Sequence, residues 1–288
     1  MALQDYTCKE RPQWCPGCGN YAILGAIKGA LDELRIPAHN AVVSSGIGCS
    51  SKIPHYVNVY GFEGIHGRGV PVASAIKLAN HKLTVISMGG DGDGYGIGSA
   101  HFLHVMRRNY DMTYVVHNNQ IYGLTTGQAS PTSQLGMKTK TTPHGVIELP
   151  VNPTAVAITS GATFVARVFA GDMAYMKKIM AEAIAHKGFS LVDVLQPCVT
   201  FNKLNTYDFF TKRVYKLDEA GHDPSDRKKA MEKAMEDFST GYEKMPIGVF
   251  YKEKRPTYED QLPQLREKAL AEQDIENVDV SHAMKKLM

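Results

Sequence analysis

The chain has 288 residues, 43% hydrophobic and 21% charged, with a formal net charge of +3. That composition is long enough and apolar enough to bury one large core, and it excludes a disordered chain. It also excludes a strongly basic nucleic-acid surface, and no apolar run is long enough to span a bilayer.

The N-terminus, MALQDYTCKERPQWCPGCG, has no apolar signal-peptide core, so a cytoplasmic protein is expected. Tyr21 to Leu34 carries apolar residues at helical spacing, broken by Pro37 and Asn40. AVVSSGIGCSS, from Ala41, reads as a short strand running into a glycine-rich loop. A less regular passage, HYVNVYGFEGIHGRG, leads to a helix opening near Pro71, with proline in the first turn. Leu83–Met88 is a strand, Ser99–Arg108 a helix and Met112–His117 a second strand. Gly123 to Pro153 is rich in Thr, Gly, Ser and Pro, and a structureless connection of that length signals a functional loop. Asn152-Pro153-Thr154 opens another helix, followed by a strand at Ala162–Phe169, a helix at Met173–Lys187 and a strand at Ser190–Leu195.

Alternating strands and helices predict an α/β fold, a doubly wound parallel sheet with helices on both faces. Residues 1–205 are assigned to this domain. Residues 206–288 are charge-rich, with one helix expected from Ser225 to Phe238 and a strand-like GVFYK at 248–252, and are expected to form an extended arm or lid.

The stretch Val85–Gln128 carries the chemistry. Its two strands, joined by one helix, run parallel in a right-handed βαβ unit, so Asp91 and Asn119 open on the same sheet edge. A carboxylate and an amide oxygen there can share one hard cation, with the Ile121 carbonyl as a further ligand, while glycines leave room for a diphosphate. No GxGxxG register and no GKS or GKT follows, which excludes the dinucleotide and P-loop readings. Gly90-Asp91-Gly92 with a closing Asn118-Asn119 matches instead the thiamine diphosphate signature, with Asp93 left as a loop-stabilising acceptor. His66 and Arg68 precede a helix start, where they can meet phosphate oxygens. Lys52 can pair with a substrate carboxylate, whereas His101 and His104 are assigned no chemistry.

Five cysteines, an odd number, fit a disulfide framework poorly and read as metal ligands or reactive thiols. Cys15 and Cys18 form a CxxC pair, and Cys49 and Cys198 each follow a strand. Four thiolates on the cofactor edge suit a [4Fe–4S] cluster or a structural zinc. Nearness to an electron source favours the cluster. Cys8 is the spare thiol.

CPGCGN at 15–20, GIGCSSK at 46–52, IHGRG at 65–69, GDGD at 90–93, NNQIYGLTTGQ at 118–128 and PCVTFN at 197–202 together resemble the β subunit of the 2-oxoacid:ferredoxin oxidoreductases. The resemblance implies that Cys15, Cys18, Cys49 and Cys198 hold a [4Fe–4S] cluster and that Asp91, Asn119 and the Ile121 carbonyl bind Mg²⁺. It implies that Ile47, Gly48, Cys49, Ser50, His66, Gly67, Arg68, Gly69, Gly90, Gly92, Asp93, Gly123 and Leu124 contact thiamine diphosphate. The implied reaction is coenzyme A-dependent oxidative decarboxylation of a 2-oxoacid, 2-oxoglutarate or else pyruvate, with electrons passed to ferredoxin. The glutamate that activates the cofactor comes from a pyrimidine-binding domain, for which this chain has no length left, so an α or fused γα partner subunit is expected. The competing readings are a non-redox thiamine-dependent lyase with a structural zinc and a zinc-stabilised scaffold. Lys203, Lys212, Arg213 and Lys216 form a solvated face rather than a marked ferredoxin dock.

Overall fold

Short runs of Val, Ile, Tyr and Phe between glycine- and proline-bearing loops form strands in the computed structural model, which describes residues 6–274, 276 and 278–288. They are β1 (Ala41–Ser45), β2 (Tyr60–Glu63), β3 (Thr84–Gly90), β4 (Thr113–Asn118), β5 (Phe164–Phe169), β6 (Ser190–Leu195), β7 (Val214–Lys216) and β8 (Met245–Lys252). Helices α1 (Asn20–Glu33), α2 (Gly69–Ala79), α3 (Ser99–Arg108), α4 (Pro153–Thr159) and α5 (Met173–Ala185) accompany them. The remaining helices are α6 (Tyr207–Thr211), α7 (Arg227–Ala234), α8 (Glu236–Ser239) and α9 (Ser281–Leu287).

The strands form one sheet in the order β2-β1-β3-β4-β6-β5-β8-β7. From β2 to β5 every pairing is parallel, so the loops after β1, β3, β4 and β6 open on one edge. The chain leaves β1 for β2 on one side and returns to β3 on the other. That reversal makes a topological switch point, where open α/β sheets bind their ligands.

Alternation along the strands divides the core between the two sheet faces. Val43, Met88, Val115 and Val192 pack with Ile23, Ile27 and Leu31 of α1 and Met176 and Ile179 of α5. Val85, Tyr114, Val116 and Leu191 pack on the other face with Val70, Phe102, Val105 and Ala157 from α2, α3 and α4. Asn152 caps α4, its side chain accepting from the Ala155 N–H at 3.1 Å, with Pro153 at the first helical position.

Two elements differ from the sequence reading. The passage before residue 65 contains β2, whose four residues are all exposed, so it lacks the apolar alternation that marks a half-buried strand. Residues 214–252, within the segment expected as an arm, contribute β7 and β8 to the sheet, with β8 antiparallel to β5 across a bulge at Val165/Ala166. Met245, Ile247 and Phe250 of β8 are buried, a core contribution hidden in sequence by the charged residues around it. Among the described residues no helix is long and apolar enough to cross a membrane.

A buried charge cluster ties this far edge to the centre. Arg167 of β5 donates from Nε to Asp193 of β6 at 3.0 Å and from an Nη to Asp237 of α8 at 2.8 Å. Asp193 also accepts from the Tyr95 hydroxyl at 3.0 Å and the Asn118 amide at 3.1 Å. Burial works against the Arg167 charge, but Asp237 and Asp193 hold its pKa above the ordinary value. Arg167→Met strands two buried carboxylates and is expected to cost about 3–5 kcal/mol. Urea unfolding checks this. The loss should shrink as pH falls, because protonating the stranded carboxylates removes their buried charge.

Candidate functional site

Two adjoining cavities open at the switch point. The first, of about 120 Å³, is lined by Ile47–Ser50 after β1, His66, Gly90–Asp93 after β3, and Asn119 and Ile121–Thr125 after β4. Asp91 is 2% exposed, and burial pushes its carboxyl up to about 6 even though Ser130 and Thr132 donate to it. Those hydroxyls stand 2.5 and 2.7 Å from Oδ2. Thr132 also lies 2.8 Å from Asn118 Oδ1, so one hydroxyl proton serves two acceptors.

The turn after β4 brings the other oxygens round. Gln120 adopts a left-handed φ of 57°, rare for a residue with a side chain. It is held there because Ser133 donates to its carbonyl at 2.7 Å and Asn202 donates to the Asn119 carbonyl at 2.9 Å. Asn119 Oδ1 accepts the Ile121 N–H at 3.1 Å, which folds Ile121 back beside the Asn119 side chain. Asp91, Asn119 and Ile121 thus line one cavity, and a carboxylate, an amide oxygen and a backbone carbonyl are among the groups they own, a donor set suited to a hard divalent cation.

Asp93 knits the loops together. Its Oδ1 accepts from the Ile47 N–H at 3.0 Å, the Gly67 N–H at 2.7 Å and His66 Nδ1 at 2.7 Å. A Cβ on Gly46 would fall 2.2 Å from both Asp93 oxygens, so only glycine lets this loop approach. Asp93→Ala should therefore free two other loops at once. The expected result is faster amide exchange at Ile47 and Gly67 than at core amides, read by hydrogen exchange. His66 also lines the cavity, and its ring stands edge-on to Tyr122. Gly67, Arg68 and Gly69 lie behind the lining: Gly67 serves Asp93, Arg68 precedes α2, and Gly69 packs against Ser45 and Gly46.

The second cavity, of about 190 Å³, is lined by Cys15, Cys18, Cys49 and Cys198, with Trp14, Asn20, Lys52, Gln196 and Phe201 among its other walls. Cys15 and Cys18 sit in a tight turn closed by the Cys18 N–H to the Cys15 carbonyl at 3.0 Å. Burial pushes the Cys18 thiol up to about 11, and the nearby Cys198, Cys49 and Cys15 add to the rise. Cys49 is raised by burial and by Cys198, against the Lys52 ammonium. Thiolates gathered this closely would repel, so deprotonating them together would need a cationic centre among them. Among the described residues no three His, Cys, Asp or Glu side chains are gathered tightly enough for a single ion. Cys8 is not part of this lining; its thiol donates to the His55 carbonyl at 3.1 Å.

The residues that sequence reasoning missed are the supports: Ser130, Thr132 and Ser133 under Asp91 and Gln120, and Trp14, whose indole donates to the Cys49 carbonyl at 2.7 Å. The Ser-Pro-Thr-Ser run inside the long loop was the available signal.

Residues 46–194 match the C-terminal TPP binding domain of thiamine pyrophosphate enzymes, and 198–267 match the C-terminal region of the pyruvate ferredoxin oxidoreductase beta subunit. The chain is 49% identical over 272 residues to 2-oxoacid:ferredoxin oxidoreductase 1, subunit beta, of Aeropyrum pernix, covering 91% of this chain and 85% of that one. It is a 2-oxoacid:ferredoxin oxidoreductase β subunit. Among further relatives of this β subunit, the 2-oxoglutarate oxidoreductase subunit KorB of Mycobacterium tuberculosis is 45% identical over 199 residues, 69% of this chain and 53% of that one. The fold of the β subunit is also that of a 2-oxoglutarate:ferredoxin oxidoreductase from Magnetococcus marinus, solved with 2-oxoglutarate, coenzyme A and succinyl-CoA bound. The TM-score is 0.92 at 39% identity, over 100% of this chain and 96% of that one.

Proposed function

We propose that this β subunit binds Mg²⁺-thiamine diphosphate in the first cavity and a [4Fe–4S] cluster in the second. With its partners it carries out the reversible, coenzyme A-dependent oxidative decarboxylation of 2-oxoglutarate to succinyl-CoA, with ferredoxin as electron carrier. One observation carries the reading: four thiols and a hard-cation donor set line adjoining cavities on one sheet edge. When bound, thiamine diphosphate supplies the nucleophile and electron sink for decarboxylation, and the cluster supplies one-electron transfer.

The residues divide the work. Asp91, Asn119 and the Ile121 carbonyl hold the cation. Ile47–Ser50, Gly90, Gly92, Gly123 and Leu124 shape the space for the diphosphate, and His66, its Nδ1 tied to Asp93, keeps a nitrogen for a phosphate oxygen or a reacting proton. Cys15, Cys18, Cys49 and Cys198 hold the cluster. A cavity of about 190 Å³ lined by all four thiols gives a multinuclear cluster room beside the first cavity. Lys52, three residues from Cys49, is assigned to a substrate carboxylate. Among the described residues no glutamate lines the first cavity, which supports an α subunit that brings the activating carboxylate with its pyrimidine-binding domain.

Relatives named for 2-oxoglutarate favour that substrate, while relatives at 40–49% identity named for 2-oxoacids in general keep pyruvate or a broad range as the second reading. The test is the complex with its partner subunit, purified anaerobically. It should absorb broadly at about 400 nm and turn over 2-oxoglutarate faster than pyruvate with ferredoxin and coenzyme A. A colourless, zinc-loaded complex would overturn the redox reading in favour of the scaffold, and a higher rate with pyruvate would overturn the substrate assignment.

A further inference from the structure

The two cavities share a wall. Cys49, Asn119, Gly123 and Leu124 line both of them. Gly123 holds a particular place in that wall. A Cβ built on it would lie 3.3 Å from Cys198 Sγ and 3.8 Å from Asn119 Nδ2, one atom touching a cluster-side thiol and a cation-side amide at once. Its φ lies outside the left-handed region, so the backbone would accept any L-residue. The cost of a side chain here is therefore one of space on the Cys198 side and not of conformation. The 3.3 Å approach is shorter than the usual ~3.5–4.0 Å packing distance between carbon atoms, and sulfur is larger than carbon.

The wall is also stiff. The Thr126 N–H closes onto the Gly123 carbonyl at 3.1 Å, and the Gly127 N–H onto the Tyr122 carbonyl at 2.9 Å. On the thiol side, the Asn202 N–H bonds the Cys198 carbonyl at 2.9 Å, while the Asn202 side chain donates to the Asn119 carbonyl at 2.9 Å. Asn202 therefore ties the loop carrying Cys198 to the one carrying Asn119. An added methyl at Gly123 would press on the Cys198 side directly, and Asn202 would carry that displacement to the Asn119 loop.

We propose that Gly123 is a positioning residue that sets the separation of the two redox partners. Its missing side chain lets the Cys198 sulfur sit close against the shared wall, so a single thickness of backbone would divide the two groups when bound. This deepens the functional reading above and rests on it. No bond is made or broken in crossing the wall. When bound, the cofactor would supply the two electrons from one 2-oxoacid, and the cluster would pass them one at a time to ferredoxin.

The experiment compares the wild-type complex with Gly123→Ala and Gly123→Val, each purified anaerobically with its partner subunit and matched for melting temperature. Three readouts are taken: thiamine diphosphate affinity by calorimetry, the paramagnetic resonance signal of the dithionite-reduced cluster, and the rate at which 2-oxoglutarate bleaches the absorption. Gly123→Ala should weaken cofactor affinity by about tenfold and slow bleaching by about 10–100-fold, the range for groups that orient a metal's ligands. It should also shift the resonance signal while leaving dithionite reduction intact, and Gly123→Val should show larger effects where it folds. A change confined to the cofactor side or the cluster side, or no change on either, overturns the proposal. A wild-type complex without iron–sulfur absorption overturns instead the reading on which it rests.

Discussion

The Asp91→Ala protein is expected to leave a gel-filtration column without thiamine diphosphate, whatever Mg²⁺ was present on loading. The carboxylate is 2% exposed and already carries a desolvation penalty that pushes its pKa up to about 6. A cation in the cavity would relieve that penalty, and alanine offers it nothing to bind. Asp93 cannot stand in, because its Oδ1 already accepts from Ile47, Gly67 and His66. The fold itself should survive. Thr132 keeps Asn118 Oδ1 as an acceptor at 2.8 Å, so the loss of folding stability should stay within about 1–3 kcal/mol, the cost of one unsatisfied buried group. Cofactor content equal to that of the wild type would contradict the assignment.

Cys198→Ala is expected to abolish the cluster and ferredoxin reduction together. Cys198 enters from the end of β6, opposite the Cys15–Cys18 turn, and its thiol adds to the rise in both the Cys18 and Cys49 pKa values. A cubane cluster needs four thiolates, and the fifth cysteine cannot replace one. Cys8 is engaged with the His55 carbonyl and does not line the cavity. Thiamine diphosphate binding should persist in this variant, which separates it from Asp91→Ala. Iron content and absorption at about 400 nm measure the outcome, and a native spectrum would remove Cys198 from the ligand set.

Much of this architecture was legible from local signals. Asn152-Pro153 announced α4 because a capping side chain and a fixed proline φ act within one turn. The helix over Ser99–Arg108 and the strand over Ser190–Leu195 were read with their observed bounds, since their apolar periodicity reports packing against a single sheet. By contrast, β2 was invisible because an exposed edge strand has no buried face to pattern. β8 was seen only in part, because pairing with β5 joins residues some eighty positions apart in the chain and leaves no local trace.

The candidate site divides along the same line. Asp91 and Asn119 were legible because chirality makes the βαβ unit right-handed, so two strand ends separated by one helix must open on one edge. The cysteines could be carried to that edge by the same argument. What the supports do was decided only in three dimensions: Ser130 and Thr132 reach Asp91 across thirty-nine and forty-one residues, and Asp93 gathers Ile47 and His66 from two other loops. So was the common wall, in which Gly123 stands between Cys198 and Asn119. The sequence by itself determined which chemical groups are present and on which edge they emerge, because strand direction and handedness are local steric properties. Which groups share a cavity, and how thin the wall between cavities is, depends on loops packing against one another, and only the tertiary structure decides that.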